Sequence, residues 1–204
     1  KVALIITQTG GGCRASNYIY LLRKALKKAG LEQVPVISVN MSGLESASGF
    51  KLTLPLVRQI VASLVYGDCI MCVSNQTRPY EFNVGETDAL IEKWNDALIE
   101  QFNRGKGLSN KDMRKNLAAI VDDFDAIERS HERKTRVGVV GEIYVKYSSL
   151  GNNGLEKFLR TQDCEYMLPG IMGFVLFKID NRIEDHHLYG GSLLKLIFCK
   201  GLMK

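Results

Sequence analysis

The sequence predicts an α/β protein made of two Rossmann-like parallel-sheet halves with a helical segment between them. An apolar run typical of a strand buried in a parallel sheet occurs at residues 2–6, a further strand is predicted at 135–140, and each leads into a glycine-containing turn. Between them, apolar side chains recur at helical spacing. We therefore expect a first α/β subdomain at 1–75, a helical layer at 76–133 and a second α/β subdomain at 134–204.

The first 40 residues have the pattern of a β-α-β unit. The helix predicted at 16–29 ends with two lysines and stops at Gly30, and a second apolar strand follows at 34–39. Because a helix separates the two strands, we expect them to run parallel in a sheet that is covered on both faces.

The middle of the chain carries three helical apolar stripes, within residues 57–65, 90–102 and 117–127. Ser109, followed three residues later by Asp112, has the form of a capping box with Asp in place of Glu. These patterns predict three helices, the last of which begins at Ser109.

The third segment restarts the alternation of strands and helices. A strand and turn at 135–142 precede a helix that we expect Asn153 to cap, with Glu156 in its third position. Another strand is predicted at 166–169, and an apolar helix with basic ends is predicted at 192–204.

Composition narrows the classes of function. The 204 residues are 46% apolar, which suffices for a core, and the net charge of +5 is not gathered into a basic run interleaved with aromatic residues. We expect no nucleic-acid partner. Neither a signal peptide nor an apolar run long enough to cross a bilayer is evident, so we also expect no membrane partner. Five irregularly spaced cysteines favour a reducing cytoplasm. The first residue, Lys1, suggests a segment of a longer protein.

The glycine-cysteine turn after the first strand is the leading candidate site. Gly11 and Gly12 precede Cys13 and Arg14, where the first helix should begin, so backbone N–H groups converge on one point. The helix dipole and Arg14 favour a thiolate, which makes Cys13 the cysteine we expect to ionise most easily. The glycine amides and Arg14 are predicted to stabilise that charge or an anionic ligand.

Two other interpretations of this turn remain open. Residues 10–15 satisfy the dinucleotide pattern G-x-G-x-x-A, but the second strand ends without the acid that would hold a ribose, since the next carboxylate is Glu45. The glycines could instead serve only to make a tight strand-to-helix turn. A nicotinamide site and a purely structural turn are therefore the alternatives.

A second candidate is Arg78, which precedes Pro79, Tyr80 and Glu81. Proline favours an extended Arg78 and a helix start, so we expect Tyr80 and Glu81 in the first turn of the next helix. In one interpretation this is a helix corner in which Arg78 and Glu81 pair or cap. In the other, Arg78 lies beside an anionic ligand.

The remaining cysteines and histidines give weaker signals. Cys69 and Cys72 form a C-x-x-C, but both continue an apolar stripe and lie late in their helix, so we interpret them as core residues. His131 is expected at a solvated helix end, and His186 and His187 in a surface loop. No serine-histidine-acid arrangement can be assembled from the spacing.

Three motifs, in this order, resemble large bacterial CoA-substrate-specific enzyme activases. They are TGGGCRASNY at 9–18, RPYE at 78–81, and VVGEIYV at 139–145 followed by Asn152 and Asn153. The resemblance covers essentially the whole chain. That family is related to 2-hydroxyacyl-CoA dehydratases and their activators, and the chain resembles its dehydratase-like part.

The resemblance implies Rossmann-like domains that hold a 4Fe–4S cluster on cysteines from different loops. It also implies ATPase activator modules as partners, which deliver electrons by hydrolysing ATP, and acyl-CoA as the substrate of the related dehydratases. Cys13 matches a cluster ligand, with Arg14 beside it, and Gly141 and Glu142 match the second glycine turn. Arg78 could be a second anion contact.

Only Cys13 lies on a strand-end turn, whereas a cubane cluster needs thiolates from several loops. We therefore expect the remaining ligands outside this chain, in the parent protein, and no stable cluster on the fragment alone. The predicted function is that of a fragment of an ATP-dependent iron–sulfur electron-transfer protein. The alternative is a non-catalytic scaffold that docks the ATPase modules.

Overall fold

The computed structural model describes residues 2–8, 13–39 and 53–203, and the contacts divide the chain into two units, residues 1–54 and 55–204. The described residues form a mixed α/β fold that is mostly helical, with eight α-helices and two parallel sheets of two strands each. The predicted α/β class is confirmed. Where the sequence predicts two Rossmann-like halves, each sheet has only two strands.

The first unit contains the expected β-α-β arrangement. Strand β1 (Leu4–Thr7) leads to a short 3-10 helix (Arg14–Ser16), helix α1 (Tyr18–Lys28) and strand β2 (Val36–Val39). The strands are parallel, with Leu4 opposite Val36, as predicted. Residues of β1 alternate between half-buried and exposed, and Ile5 is 57% exposed. One face of this strand is therefore open, and the expectation of a sheet covered on both faces is wrong here.

Three helices at the start of the second unit follow from the three apolar stripes. They are α2 (Leu54–Thr77), α3 (Glu86–Asn103) and α4 (Asn110–Asp125). They bury a core around Tyr66, Trp94 and Phe124. The predicted cap of α4 is confirmed, because the Ser109 hydroxyl accepts a 3.1 Å hydrogen bond from the backbone N–H of Asp112.

The second sheet lies in the same unit. Strand β3 (Arg136–Gly138) pairs in parallel with β4 (Glu165–Met167), and the helices α5 (Ile143–Tyr147) and α6 (Leu155–Thr161) lie between them in sequence. The residue that caps α6 is not the predicted Asn153. Asn153 takes a positive φ of 58°, and the side chain of Asn152 accepts the N–H of Leu155 at 3.0 Å.

Two further helices, α7 (Ile171–Tyr189) and α8 (Leu193–Leu202), complete the unit and pack on each other. Helix α8 lies where the sequence predicts a helix, whereas α7 was not predicted. His186 and His187 lie in the last turn of α7, so their expected place in a surface loop is wrong. His131 is exposed as expected, but it follows α4 in a segment that is neither helix nor strand rather than ending a helix.

Helix α2 is an exception to the statement that no apolar run here is long enough to cross a bilayer, whereas the expected absence of a membrane partner stays a prediction. Among the described residues it is the one helix long and apolar enough to cross a bilayer, judged by length and composition only. Its Ala62, Tyr66 and Ile70 are buried in the core with α3 and α4, and Met71 packs against a second cluster around the β3–β4 sheet. Within its unit, α2 thus links the two apolar cores.

Candidate functional site

Cys13 lies immediately before the 3-10 helix of the first unit, and it is exposed. Its backbone is extended, with φ −79° and ψ 141°. The Cys13 carbonyl accepts hydrogen bonds from both the backbone N–H (3.1 Å) and the hydroxyl (2.7 Å) of Ser16. Gly11 and Gly12, the other glycine-turn residues predicted to bind a cofactor, lie outside the described residues. Arg14 follows Cys13 and is also exposed.

A residue that the sequence reasoning missed, Gln8, connects this turn to both strands. Its backbone N–H donates to Val39 at 3.0 Å, at the end of β2. Its side-chain amide donates to the carbonyl of Ser16 at 3.2 Å and accepts from the hydroxyl of Ser38 at 2.8 Å. Ser38 is 3% exposed, so this partly buried bond joins the residue after β1 to the interior of β2. The sequence signals that could have predicted this bond were a glutamine directly after one strand and a serine within the next.

This arrangement presents one exposed thiol at the edge where the parallel strands end. Such a thiol can react with a soluble electrophile or supply one ligand to a metal. Among residues 2–8, 13–39 and 53–203, no three His, Cys, Asp or Glu side chains are grouped closely enough to hold a metal ion. The described donors therefore do not make up the ligand set of a cubane cluster, which needs several thiolates.

The other four cysteines divide between buried and exposed positions, and the structure shows no disulfide among the five. Cys69 is half-buried beside the helical core, and its burial, with a smaller contribution from Cys72, raises the pKa of its thiol. Cys72 is exposed, so its assignment to the core is wrong, and its sulfur accepts a hydrogen bond from Gln76 at 3.2 Å. Cys164 is buried and Cys199 is half-buried.

Arg78, the second predicted anion contact, lies in the other unit, just beyond α2. Its Nε (3.1 Å) and Nη2 (2.6 Å) both donate to one carboxylate oxygen of Asp88 on α3. Its Nη1 donates to Asn75 at 3.4 Å, and its side chain is 13% exposed. An anion that binds this guanidinium would compete with Asp88 for it.

Glu81 caps α3 from the preceding turn. Its two carboxylate oxygens accept the backbone N–H groups of Gly85 at 2.8 Å and Thr87 at 2.7 Å. The expected helix start at Pro79 is wrong, because α3 begins only at Glu86. These bonds are those of a helix corner, and a ligand-binding role for Arg78 stays a prediction.

Residues 80–82 pair instead with the extended segment 128–130. The backbone N–H of Ser130 donates to Tyr80 at 2.8 Å, and that of Phe82 donates to Glu128 at 3.1 Å. The Tyr80 hydroxyl donates to Glu165 of β4 at 2.7 Å, and this hydrogen bond is the main cause of a raised pKa of Tyr80. The RPYE motif thus connects the helical layer to the second sheet.

An open cleft of about 270 Å³ lies beside this pairing, and Tyr80, Arg129, His131, Arg133, Arg136 and Glu165 are among its lining residues. Arg129 forms an ion pair with Asp125, and Arg136 donates to Glu165 at 3.1 Å. Arg133 is exposed and has no ion pair with a described residue. Two of the three arginines that line the cleft, Arg129 and Arg136, are therefore already paired with carboxylates.

The second glycine turn is also a helix start. Gly141 has φ 139°, a conformation that favours glycine, and the Glu142 carboxylate accepts the N–H of Val145 at 3.2 Å in the first turn of α5.

Comparison with known proteins finds no matching family model, no matching curated protein and no matching solved structure. The family resemblance therefore depends on the three sequence motifs.

Proposed function

We propose that this chain is part of an ATP-dependent iron–sulfur electron-transfer protein related to 2-hydroxyacyl-CoA dehydratases and their activators. The observation that best supports the proposal is the exposed thiol of Cys13 between a parallel strand and a helix. Residues at the carboxyl ends of parallel strands commonly bind ligands in open α/β folds. We infer that each two-stranded sheet is the centre of a Rossmann-like half.

In this proposal Cys13 supplies one thiolate ligand to the cluster. Arg14 and the backbone amides of Gly11 and Gly12 lower the cost of its negative charge. Arg78 is the second anion contact, where the ligand competes with Asp88. The partners are ATPase activator modules and an acyl-CoA, and the compartment is the cytoplasm.

The donor set limits what this chain does alone. Cys13 is in the first unit, and the other four cysteines, Cys69, Cys72, Cys164 and Cys199, are in the second. No group of donors among the described residues completes a metal site, so in this proposal the further ligands come from the rest of the parent protein. We expect the isolated chain to hold no stable cluster.

The alternative is a non-catalytic scaffold that docks the ATPase modules. The observation that favours it is the large number of exposed apolar side chains on α7 and α8, which include Phe177 and Phe198. Such surface is typical of protein contacts. In that case the Gln8–Ser38 bond supports a turn that is only structural.

Iron and acid-labile sulfide content tests the first proposal. The full-length protein is purified without oxygen as wild type, as Cys13→Ser and as Cys72→Ser, the last because Cys72 is equally an exposed cysteine. Loss of iron and sulfide in Cys13→Ser alone supports a ligand role. Equal iron and sulfide content in all three proteins would contradict a ligand role for Cys13 and favour the scaffold. A cluster held by an ATPase module would add the same amount to each protein and would not change this comparison.

A further inference from the structure

Helix α8 contacts the rest of its unit through a narrow strip. Leu196 is its one buried residue, and Cys199, one turn later, is half-buried. Residues three apart lie on the same side of a helix. This side packs against α7, which is the principal neighbour of α8 among the described elements.

The opposite side of α8 is apolar and exposed. Its side chains are 51% to 80% exposed, and they are Leu193, Leu194, Ile197, Phe198 and Leu202. At about 100° per residue, these five positions cover about half the circumference of the helix. No charged residue falls within that arc, which we call the α8 apolar face.

Two lysines border this face. Lys195 lies about 20° beyond Leu202 on one edge, and Lys200 lies about 20° before Leu193 on the other. Both lysines are exposed, and α8 contains no acidic residue. Long lysine side chains can rest along an apolar surface while their ammonium groups reach a polar layer.

We propose that α8 binds the surface of an anionic phospholipid bilayer, with the α8 apolar face inserted and Lys195 and Lys200 at the headgroups. An exposed apolar face bordered by cations, with no acid, is a feature that α8 shares with helices that lie in a membrane interface. Each lysine near an anionic surface strengthens binding through its attraction to the lipid headgroups. This inference departs from the expectation, drawn from composition, of a chain without a membrane partner.

The charge pattern favours lipid over a second copy of the chain. Two α8 faces packed together would bring lysines of both copies to one seam, and α8 offers no acid to pair with them. An anionic bilayer pairs every one of these charges. The proposal does not depend on Cys13, which lies in the other unit, so it stands or fails separately from the iron–sulfur proposal.

Vesicle sedimentation with the full chain tests the proposal. The probes are vesicles of phosphatidylcholine with phosphatidylserine, and vesicles of phosphatidylcholine alone. We expect binding to the anionic vesicles that weakens with added salt, and much weaker binding to the neutral ones. Replacing Ile197 and Phe198 by serine should weaken binding at least about tenfold.

Matched controls distinguish binding through the α8 apolar face from nonspecific binding of any exposed apolar side chain and from misfolding of the variants. Phe82→Ser removes an aromatic side chain that is 64% exposed, close to the 66% of Phe198, and should leave binding unchanged. The double charge reversal Lys195→Glu with Lys200→Glu should weaken binding, whereas the same change at Lys111 and Lys115 on α4 should have a smaller effect. The reversal at α8 removes no apolar contact, so it tests the proposal even if the serine variant folds poorly.

Three results would overturn the proposal. The first is no binding to anionic vesicles, and the second is equal loss of binding in the α8 and control variants. The third is a dimer, seen by sedimentation without vesicles, that the Ile197→Ser and Phe198→Ser changes dissociate. In that case a second copy covers the face.

Discussion

The carboxylate of Asp68, in the middle of α2, accepts a 2.7 Å hydrogen bond from the backbone N–H of Met172 in the first turn of α7. Its other oxygen accepts the N–H of Ile171 at 2.9 Å. One side chain therefore satisfies two of the N–H groups that a helix start leaves without partners, and its charge interacts favourably with the positive end of the helix dipole.

Removing this cap should weaken the second unit. We expect Asp68→Ala to lower the free energy of unfolding by about 1–2 kcal/mol, because two N–H groups lose their acceptor. Urea unfolding can be followed by the fluorescence of Trp94, the single tryptophan, which lies in the same unit. The control is Asp96→Ala, an exposed acid on α3, which should change stability little. Equal effects of the two changes would contradict the capping role.

Gly170 allows Asp68 to approach α7. A Cβ at position 170 would lie 2.5 Å from Oδ2 of Asp68 and 2.6 Å from its Cγ. We expect Gly170→Ala to lower the free energy of unfolding by about 1–3 kcal/mol, because either the side chain of Asp68 or the start of α7 must shift. In an Asp68→Ala background the same change should cost less, since the clashing atoms are gone.

Gly173 provides the matched control for that experiment. It lies inside α7, and a Cβ there would meet nothing within 4 Å. Gly173→Ala should therefore raise stability by about 0.5–1 kcal/mol, because alanine loses less conformational entropy in a helix. A loss of stability in both glycine variants would mean that the contact with Asp68 does not decide the outcome at Gly170.

The buried Tyr66 predicts a pH dependence of stability. Its hydroxyl donates to the Gly107 carbonyl at 2.8 Å and accepts from Asn116 at 3.0 Å. Burial raises the pKa of Tyr66 above its ordinary value of about 10. The folded state thus favours the neutral phenol, so its contribution is complete below about pH 10 and is lost as pH rises through the raised pKa.

Tyr66→Phe should lower the free energy of unfolding by about 1–3 kcal/mol at neutral pH, because buried polar groups lose a partner. The difference from wild type should shrink above about pH 10, where ionisation of Tyr66 destabilises the wild type itself. Tyr189→Phe, at a position 82% exposed, is the control. A difference that stays constant across alkaline pH would show that Tyr66 does not titrate in this way.

Thiol alkylation tests the predicted character of Cys13. Peptide mass spectrometry after brief iodoacetamide treatment should show Cys13 labelled at least about tenfold faster than Cys69, whose thiol is half-buried and has a raised pKa. Cys72 is the control, because it too is exposed. If Cys13 and Cys72 react at equal rates at every pH, exposure alone explains Cys13 and its predicted ease of ionisation is wrong.

What could be predicted from sequence was local in origin. The parallel β1–β2 pair, the three helices of the middle segment and the Ser109 cap follow from apolar periodicity or from bonds that join residues three apart. The position of the exposed Cys13 thiol at the start of a helix was likewise predictable from the local sequence. Each depends on interactions within one element or between adjacent ones.

Only the tertiary structure decided the contacts between distant segments. Asp68 and Met172 are separated by 104 residues, and Gln8 and Ser38 by 30, so no local sequence pattern predicts either hydrogen bond. The ion pair of Arg78 with Asp88, which belongs to the next helix, could not be predicted from a local pattern either. Nor could the exposure of the α8 apolar face. Apolar periodicity marks the residues that can be buried, but which of them find a neighbour depends on the path of the whole chain, because burial requires a surface contributed by another element.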